Sequence, residues 1–355
     1  MKTINLDLGK QSYNICIENK LRFQILDILS KQYNKAEKLV FITDENVYKL
    51  YRELIENLKL NLNDRFILKV LPPGENTKHI SNINPIYEFL VENNITRKDC
   101  IVAFGGGVVG DFAGFIASTY MRGIDFIQIP TTLLAQVDSS VGGKVAVNLD
   151  SGKNLVGSFY QPKLVIIDPE FLDTLSDRYF SDGLAEVIKY GMIRDKSIIE
   201  MLESCDGRKS LTEHIEDIIE ICCKIKKDIV SADEKENGIR AILNYGHTIG
   251  HSIEKLGHYS KYSHGEAVGI GMKYMIESSI RRGNSDREML IRFESLLQKY
   301  NLPSNCEYSR DELILELQND KKFEGDNIKL IFADQIGDCN IIKVKRNEIK
   351  YYLFG

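Results

Sequence analysis

The 355-residue chain reads as an α/β N-terminal domain of Rossmann-like character followed by a mostly α-helical C-terminal domain. Three observations predict this. Up to about residue 175, short apolar runs alternate with longer amphipathic ones, the signature of βα units on a mainly parallel sheet. One of those strands runs into a glycine-rich loop that opens a helix. Beyond Leu175 the apolar residues recur at helical spacing instead.

The first half builds in order. Leu39–Thr43 reads as a strand and Glu45–Leu58 as a helix. Arg65–Leu71 is a strand, turned by Pro72-Pro73-Gly74, and Ile80–Glu92 is helical. Cys100–Phe104 is a buried strand, and Gly105 to Gly110 form the loop into a helix ending near Tyr120. Phe126–Ile129 and Leu164–Ile167 complete the strands. In the second half, helices are expected over 179–191, 212–230, 238–256, 265–281 and 287–299. Ile328–Ala333 and Asn340–Val344, separated by Gly337-Asp338, predict a late hairpin. The domains are therefore expected at 1–176 and 177–355, with a cleft between them.

Composition narrows the function classes. A hydrophobic content of 43% can fill two real cores. A net charge of −5 and a pI near 5.8 argue against a nucleic-acid partner, which selects a basic face. No apolar run approaches the roughly 20 residues that span a bilayer. The segment Met1-Lys-Thr-Ile-Asn-Leu-Asp7 has no apolar signal-peptide core. The seven cysteines form no Cys-x-x-Cys pair, so neither a thiolate zinc site nor a disulfide framework is expected. A reduced, cytoplasmic location follows as an expectation.

Gly105, Gly107 and Gly110 match the G-x-G-x-x-G spacing. Such glycines let backbone approach a pyrophosphate at a helix N-terminus. The same residues also suit a plain tight turn, and the loop lies about a hundred residues into the chain rather than after its first strand. Asp44, at the end of an earlier strand, is either an acid for ribose hydroxyls or the N-cap of the helix that starts at Glu45. The run Pro73-Gly74-Glu75-Asn76-Thr77-Lys78 offers further groups at a neighbouring strand end. Downstream, Gly143-Lys144 and Gly152-Lys153-Asn154 place two lysines beside glycines, expected in loops where a cation suits a phosphate or carboxylate. Arg122, after a helix, is a weaker case of the same kind.

Four of the six histidines lie between His247 and His264. His247 and His251 are four apart and share a helix face. His258 lies in the following loop, and His264 starts the next helix. Imidazole is the commonest ligand for a catalytic metal, and such a site needs three protein ligands. Glu186 interrupts an apolar helical face, so it either completes a metal site or pairs with Lys189. Spacing leaves open which histidines bind, although the 247/251 pair is the obvious guess. No Glu stands beside His247, which excludes the zinc-protease motif. Arg240, Asn244, His247 and His251 recur at spacings of four, three and four, which makes one polar stripe of the helix expected over 238–256 and suggests a helix lining a cleft.

The motifs together closely resemble the 3-dehydroquinate synthase family. They are Gly105-Gly-Gly-Val-Val-Gly-Asp111, Thr131-Thr-Leu-Leu-Ala-Gln-Val-Asp138-Ser-Ser-Val-Gly-Gly-Lys144, Gly152-Lys153-Asn154, Gly183-Leu-Ala-Glu186-Val-Ile-Lys189-Tyr-Gly and Arg240-Ala-Ile-Leu-Asn244-Tyr-Gly-His247-Thr-Ile-Gly-His251. They run in order over nearly the whole chain. One departure is Val145, where the family often carries Thr.

The resemblance implies an N-terminal NAD-binding domain and a C-terminal metal-binding domain. It implies that Glu186, His247 and His264 hold zinc, with cobalt as the alternative, and that His251 stays off the metal and faces substrate. For NAD it points to Asp44, Glu75, Lys78, Gly106, Gly107, Asp111, Thr131, Thr132, Lys144, Lys153, Phe171 and Thr174. For catalysis and substrate it points to Lys189, Glu236, Asn244 and His251, with Asp138, Lys144, Asn154, Lys226, Arg240 and Lys322 of the pair Lys321-Lys322. Arg122 would reach the site of a neighbouring subunit, which implies a homodimer. The implied reaction takes 3-deoxy-D-arabino-heptulosonate 7-phosphate, a phosphorylated sugar acid, to 3-dehydroquinate and phosphate in the shikimate pathway. Its implied course is transient oxidation by NAD, phosphate elimination, re-reduction and intramolecular aldol closure. Another sugar-phosphate cyclase and a metal-dependent polyol dehydrogenase are the rivals.

Overall fold

The computed structural model describes residues 1–318 and 326–355. Lys321 and Lys322 lie outside the described residues. The chain forms two compact units. One is Met1–Leu175 together with Ile219–Ser231, and the other is Ser176–Ile218 together with Ala232–Gly355. The return of 219–231 to the first unit is not visible in the local pattern, because the helix Ile215–Ala232 is amphipathic throughout.

The first unit is built on seven strands. In chain order they are β1 (Lys2–Leu6), β2 (Tyr13–Ile17), β3 (Leu39–Asp44), β4 (Phe66–Leu71), β5 (Cys100–Gly105), β6 (Asp125–Pro130) and, after a separate hairpin of β7 (Lys144–Leu149) and β8 (Gly152–Phe159), β9 (Leu164–Ile167). The spatial order is β1-β2-β9-β6-β5-β3-β4. Only β1 and β2 pair antiparallel; every other pairing in this sheet is parallel. β3 and β5 are buried on both faces, which is why they read as continuous apolar runs. Alternate residues serve opposite layers. Val40, Ile42, Ile101 and Ala103 pack with Phe112 and Ile116, whereas Phe41, Val102 and Phe104 pack with Ile55 and Leu58.

The connection from β3 leads to the edge strand β4, while that from β5 leads to β6 on the other side. The crevice between the carboxyl ends of β3 and β5 is therefore the topological switch point, where open α/β sheets place ligands. Asp44 ends one of these strands and Gly105 the other.

Several expectations need correction here. The hairpin β1–β2 and the hairpin β7–β8 add to the expected strands; β8 is largely exposed and contains Gly152 and Gly157, so it carries no buried alternation to read. Consequently Lys144 and Lys153 stand on strands, not in loops, although Gly142 and Gly143 before them do take positive φ. The helix expected over 45–58 is two helices, Glu45–Leu50 and Arg52–Leu62. Tyr51 between them leaves helical geometry, and its ring packs against Phe104 and Phe171.

The second unit is mainly helical. Its helices include Asp177–Ile193, Lys196–Ser204, His247–Leu256, His264–Arg281, Arg287–Lys299 and Arg310–Gln318. The expected late hairpin is present as β10 (Asn327–Gln335) and β11 (Asp338–Lys345). The single helix expected over 238–256 is not. Ile239–Asn244 is a 3-10 turn, Gly246 takes φ +78°, and the α-helix begins at His247. The polar stripe from Arg240 to His251 is thereby broken. Among the described residues, no helix is long and apolar enough to cross a membrane.

Candidate functional site

Two helices of the second unit bring the histidines together by close backbone approach. A Cβ on Gly271 would lie 2.0 Å from the carbonyl oxygen of Gly246, and one on Gly246 would meet Met272. Only glycine permits this contact between the segment entering His247–Leu256 and the helix His264–Arg281. The second helix starts at a fixed point. Ser263 and Glu266 form a capping box, and the Gly265 N–H donates to Asp182 at 2.5 Å. Glu186 stands one turn beyond Asp182 on Asp177–Ile193.

The result is a cluster of Glu186, His247 and His264 whose ligand atoms lie within 4.8 Å of one another. Glu186 Oε1 is 3.4 Å from Nε2 of both histidines. Ligands about 2.0–2.2 Å from a tetrahedral zinc stand roughly 3.3–3.6 Å apart, so this spacing fits one ion. Glu186 is 1% exposed, and Oε1 accepts no hydrogen bond among the described residues. A buried carboxylate oxygen left this way is costly unless a cation completes it. The other oxygen, Oε2, faces the Lys189 ammonium. The two readings of Glu186 are therefore compatible, since each calls on a different oxygen. The donor set of one carboxylate and two imidazoles suits zinc or cobalt.

His247 directs Nδ1 to the Tyr245 carbonyl at 3.0 Å, which leaves Nε2 for the cluster. His264 directs Nδ1 toward Glu254 Oε2 at 3.5 Å. Burial among its neighbours opposes a charge on His264, but contacts with Glu186 and Glu254 outweigh it and hold its pKa well above the ordinary histidine value. His251 packs its ring 5.5 Å from that of His247. It belongs with Glu254 and His264 to a second group of potential ligands, not to the Glu186 set. The guess of a 247/251 metal pair is thus not what the geometry favours, and His258 joins neither group. Nearby in the chain, Asn244 donates to Glu236 at 2.6 Å. Arg240 is buried, with its guanidinium on the Glu234 carbonyl.

In the first unit Asp44, Gly106 and Gly107 stand at the switch point, and Thr131 and Thr132 follow the neighbouring strand β6. The helix after β5 starts at Gly107, with Gly106 extended before it. A Cβ on Gly106 would meet Thr132 at 2.9 Å, and one on Gly110 would meet Gln128 at 2.8 Å. The glycines therefore serve packing as well as any ligand. Thr131 donates its N–H to the Gly105 carbonyl at 3.0 Å, tying the end of β6 to this loop.

A continuous polar chain leads away from the loop. Lys78 is 4% exposed and donates to Asp111 at 2.6 Å, with Glu75 at 3.7 Å. Asn148 donates to Glu75 at 2.7 Å and accepts the Asn154 N–H at 2.8 Å. Burial disfavours the Lys78 charge, but Asp111 and Glu75 outweigh it and hold its pKa above the ordinary lysine range. Elsewhere in this unit, Lys226 is buried and donates to the Asp138 carbonyl at 2.6 Å and to its carboxylate.

Other expected residues are placed less tellingly. Asp44 caps its helix, accepting from Asn46 N–H and Val47 N–H, which is the simpler of its two readings. The Phe171 ring is core, and Thr174 accepts or donates a 2.6 Å hydrogen bond with Tyr51. Arg122 is exposed at φ +68°. Sequence reasoning passed over Asp182 and Glu254. A signal for Glu254 existed, since it lies seven residues beyond His247 and so on the same helix face.

Residues 68–182 match the 3-dehydroquinate synthase N-terminal family, and residues 183–323 match the 3-dehydroquinate synthase C-terminal family. A 3-dehydroquinate synthase of Clostridium acetobutylicum is 49% identical, covering 99% of both chains. A solved 2-deoxy-scyllo-inosose synthase, complexed with carbaglucose-6-phosphate, NAD+ and Co2+, superposes with a TM-score of 0.86 at 26% identity, covering 99% of both chains. A 2-epi-5-epi-valiolone synthase from Streptomyces hygroscopicus, with NAD+ and Zn2+ bound, gives a TM-score of 0.86 at 26% identity, covering 96% of this chain and 95% of that one. With likeness at this level over its full length, the chain belongs to the 3-dehydroquinate synthase family.

Proposed function

We propose that the chain converts 3-deoxy-D-arabino-heptulosonate 7-phosphate to 3-dehydroquinate and phosphate in aromatic amino-acid biosynthesis. It does so with NAD and one divalent metal ion, zinc first and cobalt as the alternative. The observation that carries this reading is the cluster of Glu186, His247 and His264 in a chain of this family. NAD when bound supplies a hydride acceptor and donor, and the metal when bound supplies a Lewis acid.

The chain's own residues bind and orient. Glu186, His247 and His264 hold the metal, and Lys189 steadies the second oxygen of Glu186. Gly106, Gly107, Thr131 and Thr132 let backbone approach the dinucleotide, with Asp44, Lys144, Lys153, Phe171 and Thr174 around it. Lys78, fixed by Asp111 and Glu75, keeps a cation at the loop. Lys226 and Arg240 provide buried positive charge for the substrate carboxylate, and Lys322 provides a cation for its phosphate. Asp138 and Asn154 hold hydroxyls. His251 moves protons among the substrate hydroxyls, with Glu236 and Asn244 positioned beside each other to help. Arg122 serves the neighbouring site of a homodimer. A cytoplasmic setting belongs to the same reading, with no nucleic acid or membrane as partner.

The fold likeness to cyclases of other sugar phosphates favours one second reading, a substrate without a carboxylate. Purified protein loaded with zinc and NAD should turn over the heptulosonate phosphate far faster than a heptose phosphate lacking the acid group. Equal rates, or a preference for the neutral sugar, would assign the chain to that second activity.

A further inference from the structure

Among buried charges in the second unit, Glu254 has no part in the chemistry described above. It is 5% exposed and sits on the helix His247–Leu256, two turns beyond His247. Its Oε2 lies 3.5 Å from His264 Nδ1. On the far side of the same ring, Nε2 lies 3.4 Å from Glu186 Oε1. The backbone of His264 is already fixed by the capping box and by the contact of Gly265 with Asp182. Rotation of the ring about its own bonds is not fixed by these contacts.

We propose that Glu254 is a positioning residue. Its carboxylate accepts the Nδ1–H of His264 and so selects the tautomer and ring orientation that present a bare Nε2 to the metal cluster. His247 obtains the same result from the Tyr245 carbonyl. The two rings are thus held by acceptors of different strength, one a peptide dipole and the other a full negative charge. A carboxylate behind a ligand imidazole raises its basicity as well as orienting it. Burial of Glu254 strengthens that effect, because the local field is less screened. The inference rests on the reading of Glu186, His247 and His264 as the metal site.

The test uses the full-length protein stripped of metal and titrated with cobalt against a competing chelator. Visible absorption of the bound cobalt and the melting temperature of the metal-free protein are recorded alongside. Glu254→Ala should weaken cobalt binding by about 10–100-fold, the usual effect of losing such an outer partner. Glu254→Gln, whose amide oxygen still accepts but carries no charge, should fall between. Both variants should keep the wild-type cobalt band pattern, since the ligands are unchanged. If Glu254→Ala fails to fold, Glu254→Gln alone decides the matter by the same shift. Wild-type affinity in the variants would overturn the inference. A changed cobalt spectrum would also overturn it, by making Glu254 a ligand itself in a set with His251 and His264. Failure of the wild-type protein to bind cobalt would instead remove the metal-site reading, and this inference with it.

Discussion

The polar chain of the first unit and the histidine cluster of the second are each centred on a buried charge, Lys78 in one and Glu186 in the other, yet they are completed differently. Lys78, Asp111, Glu75, Asn148 and Asn154 satisfy one another. In the cluster, Glu186 Oε1 faces two imidazole nitrogens and accepts no hydrogen bond among the described residues. The first arrangement is complete as protein, and a ligand would find it preformed. The second is a set of donor atoms that could hold a cation. Removing a member should therefore damage folding in the first case and ion binding in the second.

The largest effect on stability is expected from Lys78→Met. It leaves the Asp111 and Glu75 carboxylates without their buried counter-charge, at a cost of about 3–5 kcal/mol. A denaturant midpoint reads this directly, and a second change of Asp111→Leu should recover part of the loss. Little change from Lys78→Met would mean that the pair is solvated and that the contrast between the units is false.

Zinc should have the next largest effect. At 100 times its Kd, a ligand that binds only the folded chain adds about 2.7 kcal/mol. Thermal unfolding with and without zinc should show that increment in the wild type and lose it in His247→Ala. An increment that survives in His247→Ala would place the ion elsewhere.

Gly271→Ala would sharpen the comparison further, because it presses on the scaffold of the cluster without touching a ligand. The added Cβ meets the Gly246 carbonyl at 2.0 Å. Overpacking of this kind costs about 1–3 kcal/mol. The denaturant midpoint should fall, and zinc affinity should fall with it as His247 and His264 move apart. A midpoint unchanged from wild type would show that the two helices can separate at no cost.

The smallest effect concerns protons. The pKa of His264 is raised in the metal-free protein, as Glu186 and Glu254 overcome the burial that opposes its charge. A raised folded value means that this charge stabilises the metal-free protein fully below the unfolded histidine value of about 6.5. That contribution is lost as pH rises through the folded value. Between the two, zinc must displace the proton, so binding should release protons and weaken as pH falls. Calorimetry in buffers of different ionisation enthalpy would count them. Zinc binding with no proton release in that window would contradict the assignment.

Much of this was legible in the sequence, and the limits have physical causes. The parallel strands β3 and β5 announced themselves as apolar runs because both of their faces are covered. The histidine cluster was visible from composition alone. The grouping of Glu186 with His247 and His264 was not, since spacing favoured His247 with His251. Gly246 at positive φ ends the upstream turn, and backbone contact across Gly246 and Gly271 brings in His264 from another helix. The hairpins β1–β2 and β7–β8 are local pairings that the apolar pattern does not mark, β8 being largely exposed and interrupted by Gly152 and Gly157. Glu186 illustrates a different limit. Metal ligand and partner of Lys189 looked like alternatives, but a carboxylate has two oxygens, and here Oε2 faces Lys189 while Oε1 faces the two histidines.

The most direct measurement is release of phosphate from 3-deoxy-D-arabino-heptulosonate 7-phosphate by the zinc-loaded protein with NAD, while absorbance of NADH is followed. The account predicts one phosphate per substrate, no lasting NADH, and loss of turnover on chelation with recovery on adding zinc or cobalt. Steady accumulation of NADH, or no release of phosphate, would contradict it.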